Sequence, residues 1–147
     1  MRDVAEAIAP SLRPGDVVVA TQPEQVSVLE YYLPDGLRYA TLTGPVRDTG
    51  VTDWRDGVER LEATSAPRDL RPLLDRMRPG QRVALVVPTI YAIGRWSAPW
   101  TRLVRLRSEE WLQYVSNDRR FGLTAIEPAS PFPASPNPVR ARVYLKR

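Results

Sequence analysis

Two short, uninterrupted apolar runs most constrain what this chain can fold into. Residues 17–20 read Val-Val-Val-Ala and residues 83–87 read Val-Ala-Leu-Val-Val. A strand that is apolar at every position must be covered on both faces, which is typical of the central strands of a parallel sheet. Helical spacing over residues 23–33 and a further strand at residues 38–43 complete a strand–helix–strand unit.

This pattern predicts an α/β fold, a three-layer Rossmann-like sandwich with about five mostly parallel strands and helices on both faces. The final strand is predicted at residues 139–146, where apolar residues alternate with Arg140, Arg142 and Tyr144. Such alternation favours an antiparallel edge strand with one wet face. The proline-rich residues 128–138 are interpreted as its connector. We expect one soluble domain over residues 1–147.

Two predicted helices carry the residues that matter most for function. One follows Thr52 and Asp53, which can cap it, and places Trp54 on its apolar face. The longest helix is predicted to begin at Ser97 and to end near residue 117. Arg107 falls on its apolar stripe, and a buried charge needs a partner. We therefore expect Arg107 to pair with a carboxylate across the core or to face a cleft.

The chain contains no histidine and no cysteine. This composition excludes a cysteine nucleophile, a Ser-His-Asp triad, a histidine general base and a zinc site built from thiolates or imidazoles. No pair of carboxylates is placed in a way that indicates glycoside hydrolysis. We therefore predict that this chain alone has no catalytic residue, no metal site and no cofactor.

The loop after the first predicted strand is the first candidate for a binding site, because open α/β sheets bind ligands beyond the carboxyl ends of their strands. It contains no glycine, and Glu24 would repel a phosphate, so a nucleotide is disfavoured. Thr21, Gln22 and Gln25 could hydrogen-bond a neutral polyol such as a sugar. The alternative, which we favour from the sequence, is that they cap the helix and build the loop.

Aromatic residues suggest two further candidates. Trp96 and Trp100 lie beside Arg95 at the start of the longest predicted helix, and such a grouping suits sugar stacking or a partner surface. The segment Asp53-Trp54-Arg55-Asp56 combines carboxylate, aromatic and guanidinium groups, as carbohydrate sites often do. In both segments the alternative is structural, with the tryptophans in the core and the polar residues as caps.

Charge divides the chain into two halves. Residues 1–75 hold 8 Arg against 13 Asp and Glu (8 − 13 = −5), and residues 76–147 hold 13 basic against 4 acidic residues (13 − 4 = +9). The basic half predicts docking on an anionic membrane surface through Arg102, Arg105, Arg140 and Arg142. The alternative is that these arginines are solvated or paired with the acidic half. Nucleic acid is disfavoured because the arginines are dispersed.

Segments along nearly the whole chain resemble the C-terminal soluble tail of actinobacterial polytopic membrane glycosyltransferases, the mannosyltransferase-like enzymes of the glycosyltransferase C superfold. The segments that carry the resemblance are residues 12–16, 21–25, 31–34, 37–41, 52–56, 96–100, 116–121 and 137–139. In that superfold the catalytic acidic residue lies in an early extracytoplasmic loop, and no position here matches it.

The resemblance implies a non-catalytic, extracytoplasmic domain at the cell membrane. Its parent protein would be a glycosyltransferase that uses polyprenyl-phosphate sugar donors. Its partners would be the membrane-embedded half of the same protein and a glycan or acceptor. The alternative is a free-standing α/β enzyme or a protein that binds a small, sugar-like ligand, with a site built from Thr21, Gln22 and the loops after Thr43 and Pro88.

Overall fold

The computed structural model describes residues 1–89, 98–127 and 139–147. Its strands are β1 (Val17–Ala20), β2 (Arg38–Thr41), β3 (Gly44–Pro45), β4 (Arg82–Pro88), β5 (Phe121–Glu127) and β6 (Val139–Lys146). Its α-helices are α1 (Arg2–Ile8), α2 (Val26–Tyr32), α3 (Gly57–Ala63), α4 (Arg71–Asp75) and α5 (Pro99–Asn117). None of the helices in these ranges combines the length and the apolarity that crossing a bilayer requires.

The six strands form one sheet in the order β3-β2-β1-β4-β6-β5. Strand β1 pairs in parallel with β2 on one side and with β4 on the other. The remaining pairs, β2 with β3, β4 with β6 and β5 with β6, are antiparallel. The predicted α/β, Rossmann-like class is therefore confirmed, although the parallel part is limited to three strands and β3 was not predicted.

Strand β6 is antiparallel, as predicted, but it does not lie at the edge. It is inserted between β4 and β5, so β5 is the edge strand. Both faces of β6 are covered over much of its length, since Val143 is fully buried on one face and Tyr144 is 2% exposed on the other. Alternating polarity predicts that the two faces of a strand lie in different environments. It does not predict which strands are its neighbours in the sheet.

Two apolar layers sandwich the sheet. On one face Val17, Val19 and Leu85 pack with α3, α4 and α5, and Trp111 is the largest side chain there that is almost fully buried. On the other face Val18, Ala84 and the apolar residues of β6 pack with α1 and α2. This two-sided burial is why β1 and β4 are apolar at every central position.

A buried carboxylate joins the strands at the amino-terminal edge of the sheet. Asp16 is 3% exposed. Its Oδ1 accepts a hydrogen bond from the amide of Arg82 at 2.8 Å, and its Oδ2 accepts one from the amide of Arg13 at 2.9 Å. Its own carbonyl accepts from the amide of Arg38 at 2.9 Å. One residue therefore holds the starts of β1, β2 and β4 in register.

Replacing Asp16 by Ala is expected to lower the free energy of unfolding by about 2 to 3 kcal/mol, because two amides lose a charged acceptor at a buried position. Asp16→Asn should cost less, since one oxygen remains to accept a hydrogen bond. Urea unfolding of both variants measures the difference. An Ala variant within about 0.5 kcal/mol of the parent would show that solvent replaces the carboxylate and that this contact does not fix the register.

Candidate functional site

A crevice of about 320 Å³ lies beyond the carboxyl end of β2, beside the loop that follows β1. Its volume is at the lower end of the range for small-molecule sites. The tight β2–β3 hairpin, the loop after β3 and the start of α5 all contribute to its walls. The lining residues that bear on its chemistry are Thr41, Thr43, Asp48, Asp53, Arg60 and Trp100.

The hairpin brings two hydroxyl groups together at this crevice. Thr41 pairs with Gly44 across the hairpin, and Gly44 adopts a φ of 122°, in the region that favours glycine. The hydroxyl oxygens of Thr41 and Thr43 lie 3.0 Å apart, and the amide of Thr43 donates to Thr41 Oγ1 at 3.3 Å. Thr41 is buried and its hydroxyl is engaged within the hairpin, so the half-buried Thr43 hydroxyl, which can donate and accept, is the member of the pair better placed to match a hydroxyl group of a ligand.

Asp53 is held in its ionised form at the wall of the crevice. Arg55 donates to both of its carboxylate oxygens, at 2.9 and 3.0 Å, and Arg60 Nη1 lies 3.4 Å from Oδ2. The hydrogen bonds from Arg55 hold the pKa of Asp53 well below its ordinary value. A carboxylate that is always ionised and paired is unsuited to general acid catalysis, and it can serve as a fixed hydrogen-bond acceptor.

Two tryptophans pack together beside the crevice, where Trp100 lines both the crevice and a neighbouring shallow concavity and Trp54 lines only the concavity. The Trp54 and Trp100 rings lie 5.2 Å apart between centroids and are inclined by 66°. Trp54 is 52% exposed, and Trp100 is partly buried and lines the crevice. A Cβ atom on Gly57 would lie only 3.3 Å from Trp100 Cζ3, so the glycine makes room for this ring. The pair offers an apolar, partly open surface beside the hydroxyl groups.

The prediction that Trp54 lies on the apolar face of a helix is wrong. Helix α3 begins at Gly57, and Asp56 before it adopts a left-handed conformation with a φ of 48°. Trp54 therefore precedes the helix, and Asp53 binds Arg55 through its side chain and does not cap α3. Of the grouping that the sequence suggested, Asp53 lines the crevice, whereas Trp54 and Asp56 line the neighbouring concavity, so a shared carbohydrate site stays a prediction.

The other residues predicted for a ligand site lie close to the crevice, but they differ in burial and in hydrogen-bond partners. Thr21 is fully buried, donates to the carbonyl of Val86 at 3.3 Å and accepts from Ser108 Oγ at 2.8 Å. Gln25 Nε2 donates to Gln22 Oε1 at 2.6 Å in the loop whose Pro23 lines the crevice. Trp96 lies outside the described residues. Ligand binding by Thr21, Gln22 and Gln25 stays a prediction.

The sequence did not single out three of the lining residues as candidates for the site, namely Thr41, Thr43 and Arg60. The sequence did point to the loop after Thr43, because ligands bind beyond the ends of strands. The run Thr41-Leu42-Thr43-Gly44-Pro45 carries a further signal, since a glycine and a proline after alternating threonines indicate a tight turn with both hydroxyls on one side. No sequence pattern could have predicted Arg60, because its contact with Asp53 depends on the tertiary fold.

The arginines predicted to form a docking surface converge in part. Arg102 and Arg105 of α5 and Arg140 of β6 line one groove. Arg142 points to the same face of the sheet as Arg140, since the two are separated by one residue in β6, but it does not line that groove. Arg107 is paired with a carboxylate, but the prediction that this partner lies across the core is wrong, because Glu110 lies on the same helix, at 2.8 Å.

Comparison with known proteins finds no matching family model and no matching curated protein. One similar solved structure is a protein from Clostridium thermocellum provisionally named an rRNA methylase. It has 12% identity and a TM-score of 0.44, over 99% of this chain and 96% of that chain. Another is a protein from Thermoplasma acidophilum provisionally named a methyltransferase, with 12% identity and a TM-score of 0.35, over 92% of this chain and 70% of that chain. At these values no activity is carried over from either protein.

The predicted identity as a glycosyltransferase tail is contradicted by these comparisons. No family model or curated protein supports it, and the solved structures found are described as methylases and not as glycosyltransferase domains. The mannosyltransferase-type parent and its polyprenyl-phosphate donors are therefore wrong as predictions, whereas a membrane-embedded partner and an extracytoplasmic location stay predictions. Three of the segments that carried the resemblance, residues 12–16, 21–25 and 52–56, are turns and loops in this fold, where residue choice follows local backbone geometry.

Proposed function

We propose that this chain binds a small, neutral, polyhydroxylated ligand of the sugar class in the crevice beyond the end of β2. The observation that carries the proposal is that Trp100, in edge contact with the exposed Trp54, lines the same cavity as the Thr41–Thr43 hydroxyl pair. A sugar ring presents an apolar face of C–H groups and an edge of hydroxyl groups, and the two pairs are complementary to these two parts.

The charges that line the crevice support a neutral ligand. Arg47 and Arg60 are matched in number by Asp48 and Asp53. Asp53 is paired with Arg60 and Arg55, and Asp48 Oδ1 already accepts a hydrogen bond from the amide of Gly50 at 2.9 Å. A phosphate or a carboxylate would meet as many carboxylates as guanidinium groups. Affinity should therefore change little with salt, because no net charge is neutralised on binding.

The same residues favour binding over catalysis. Hydrolysis of a sugar derivative needs a carboxyl group that can donate a proton and a second carboxylate facing it across the bond. Asp53 is kept ionised by Arg55. Asp48 is engaged in the loop turn with Gly50. Of the alternatives drawn from the sequence, a small-ligand binding protein therefore fits this crevice better than an enzyme.

Trp54→Ala is expected to weaken sugar binding about tenfold, because it removes an exposed ring that can stack on the ligand. Calorimetric titration with a panel of neutral monosaccharides, disaccharides and inositol measures the affinity. Tyr31→Ala is the matched control, since Tyr31 is an 81% exposed aromatic residue on α2 that lines neither the crevice nor the concavity beside it, which Trp54 does line. The proposal fails if Trp54→Ala binds as tightly as Tyr31→Ala, or if the parent chain binds no member of the panel.

A further inference from the structure

A second concavity, the arginine groove, lies on the α5 side of the sheet at the carboxyl end of β4. It has a volume of about 560 Å³. Arg102 and Arg105 come from α5, and Arg140 comes from the start of β6, where it pairs with Val87. The groove shares no lining residue with the crevice proposed to bind a neutral ligand. Ligand binding in the groove is therefore independent of ligand binding in the crevice.

The three guanidinium groups of this groove have no acidic partner in the described ranges. All ion pairs among the described residues involve arginines outside the groove, namely Arg2, Arg55, Arg60, Arg68, Arg71, Arg107 and Arg120. One carboxylate, Glu109, also lines the groove, and it accepts a hydrogen bond from Gln113 at 3.2 Å. Three cations and one anion leave an excess of two positive charges.

Arg140 supplies a more specific observation. Its Nε is buried and has no hydrogen-bond partner among the described residues; the same holds for Nε of Arg142, which lies outside the groove. Buried donors almost always have an acceptor, and one that lacks it calls for an explanation. A guanidinium group binds a carboxylate or a phosphate through two parallel hydrogen bonds, so an oxyanion in the groove would bind the accessible donors of Arg140 and would reach its buried Nε only after the side chain shifts.

Apart from Ser108, whose hydroxyl donates to the carbonyl of Val104 at 2.6 Å, the rest of the lining is apolar. Val87 and Leu112 form buried parts of the wall, and Leu106 of α5 is 57% exposed beside Arg102 and Arg105. A simple inorganic anion would leave this surface in contact with water, whereas an anion with an apolar body would cover it. We infer that the arginine groove binds a small amphipathic anion, with its carboxylate or phosphate group at Arg102, Arg105 and Arg140 and its apolar part along Leu106 and Leu112.

Calorimetric titration of the full chain with octanoate and with octyl phosphate, each below its micelle concentration, tests this inference. We expect saturable binding of at least one, at least about tenfold tighter than acetate or inorganic phosphate and absent for 1-octanol. Comparison of the two probes identifies the headgroup. Arg140→Gln and Arg102→Gln should each weaken binding about tenfold, and Arg119→Gln, an exposed arginine outside the groove, should leave it unchanged.

Arg102 is exposed, so Arg102→Gln keeps the test decisive if the half-buried Arg140 cannot be replaced without loss of the fold. The inference is overturned if neither probe binds, if 1-octanol binds as tightly, or if Arg102→Gln binds like Arg119→Gln. Co-sedimentation with phosphatidylglycerol vesicles examines the membrane surface predicted from the charge division. Vesicle binding without binding of either soluble probe would also overturn the inference, in favour of a surface contact. Because the crevice lies elsewhere, failure here leaves the proposal for sugars intact.

Discussion

Replacing Lys146 by Met is expected to lower the free energy of unfolding by about 3 kcal/mol, the largest effect of a single substitution that we predict. Lys146 is the one lysine in the chain, and it is 8% exposed. Its Nζ donates to the carbonyls of Leu74, Asp75 and Met77, at 2.8, 3.4 and 2.7 Å. A buried ammonium group therefore holds the end of α4 against β6.

The geometry explains why a lysine stands here in a chain whose other basic residues are arginines. Three carbonyls around one point match the three donors of a compact ammonium group, and the planar fork of a guanidinium does not. Lys146→Arg should therefore recover less than half of the loss. Urea unfolding measures both variants, with Arg78→Met, an exposed position, as the control. A loss below about 1 kcal/mol for Lys146→Met would mean that water satisfies these carbonyls equally well.

Arg107→Met is expected to cost about 2 kcal/mol of stability and to weaken ligand binding in the crevice as well. Arg107 Nη2 donates to the carbonyl of Glu62 at 2.8 Å, and its Nε donates to that of Leu61 at 3.4 Å, at the end of α3. Its Nη1 binds Glu110 at 2.8 Å. The substitution leaves the last turn of α3 without these donors and leaves a half-buried carboxylate without its partner.

Helix α3 carries Gly57 and Arg60, which line the crevice. A less stable carboxyl end of α3 should therefore displace these residues and weaken ligand binding. Calorimetric titration and urea unfolding of the same Arg107→Met sample separate the two effects. Arg102→Met on the same helix is the control for stability, because Arg102 is exposed. An Arg107→Met variant that loses stability but binds sugars as tightly as the parent would show that the position of α3 does not matter to the crevice.

The elements that the sequence predicted well are those whose pattern depends on burial alone. Strands β1 and β4 are apolar at every central position, and only a strand covered on both faces needs that composition. The place of β6 could not be predicted in this way. Arg140 and Arg142 suggested a wet face, yet they lie on the side of the sheet that α5 covers, and pairing with β4 and β5 is decided by contacts distant in sequence.

The candidate site, too, could be predicted from the sequence only in part. Trp100 was predicted from the unusual composition at the start of α5, and it does line the crevice. Trp54 was assigned to the core because Thr52 and Asp53 are good helix caps and favour an early helix start. In the structure Asp53 binds arginines and the helix begins at Gly57. Local signals thus predicted which residues are chemically distinctive, and tertiary pairing decided which of them meet.

Mapping sugar binding onto the backbone by NMR tests the central claim most directly. Isotope-labelled protein is titrated with the neutral sugar panel while amide and indole resonances are followed. We predict saturable shifts for the amides of Thr41, Thr43 and Gly57 and for the Trp54 and Trp100 indoles, unchanged between low salt and about 0.5 M salt. Saturable shifts confined to residues far from the crevice, such as those of α1, or no shift with any sugar, would contradict the account.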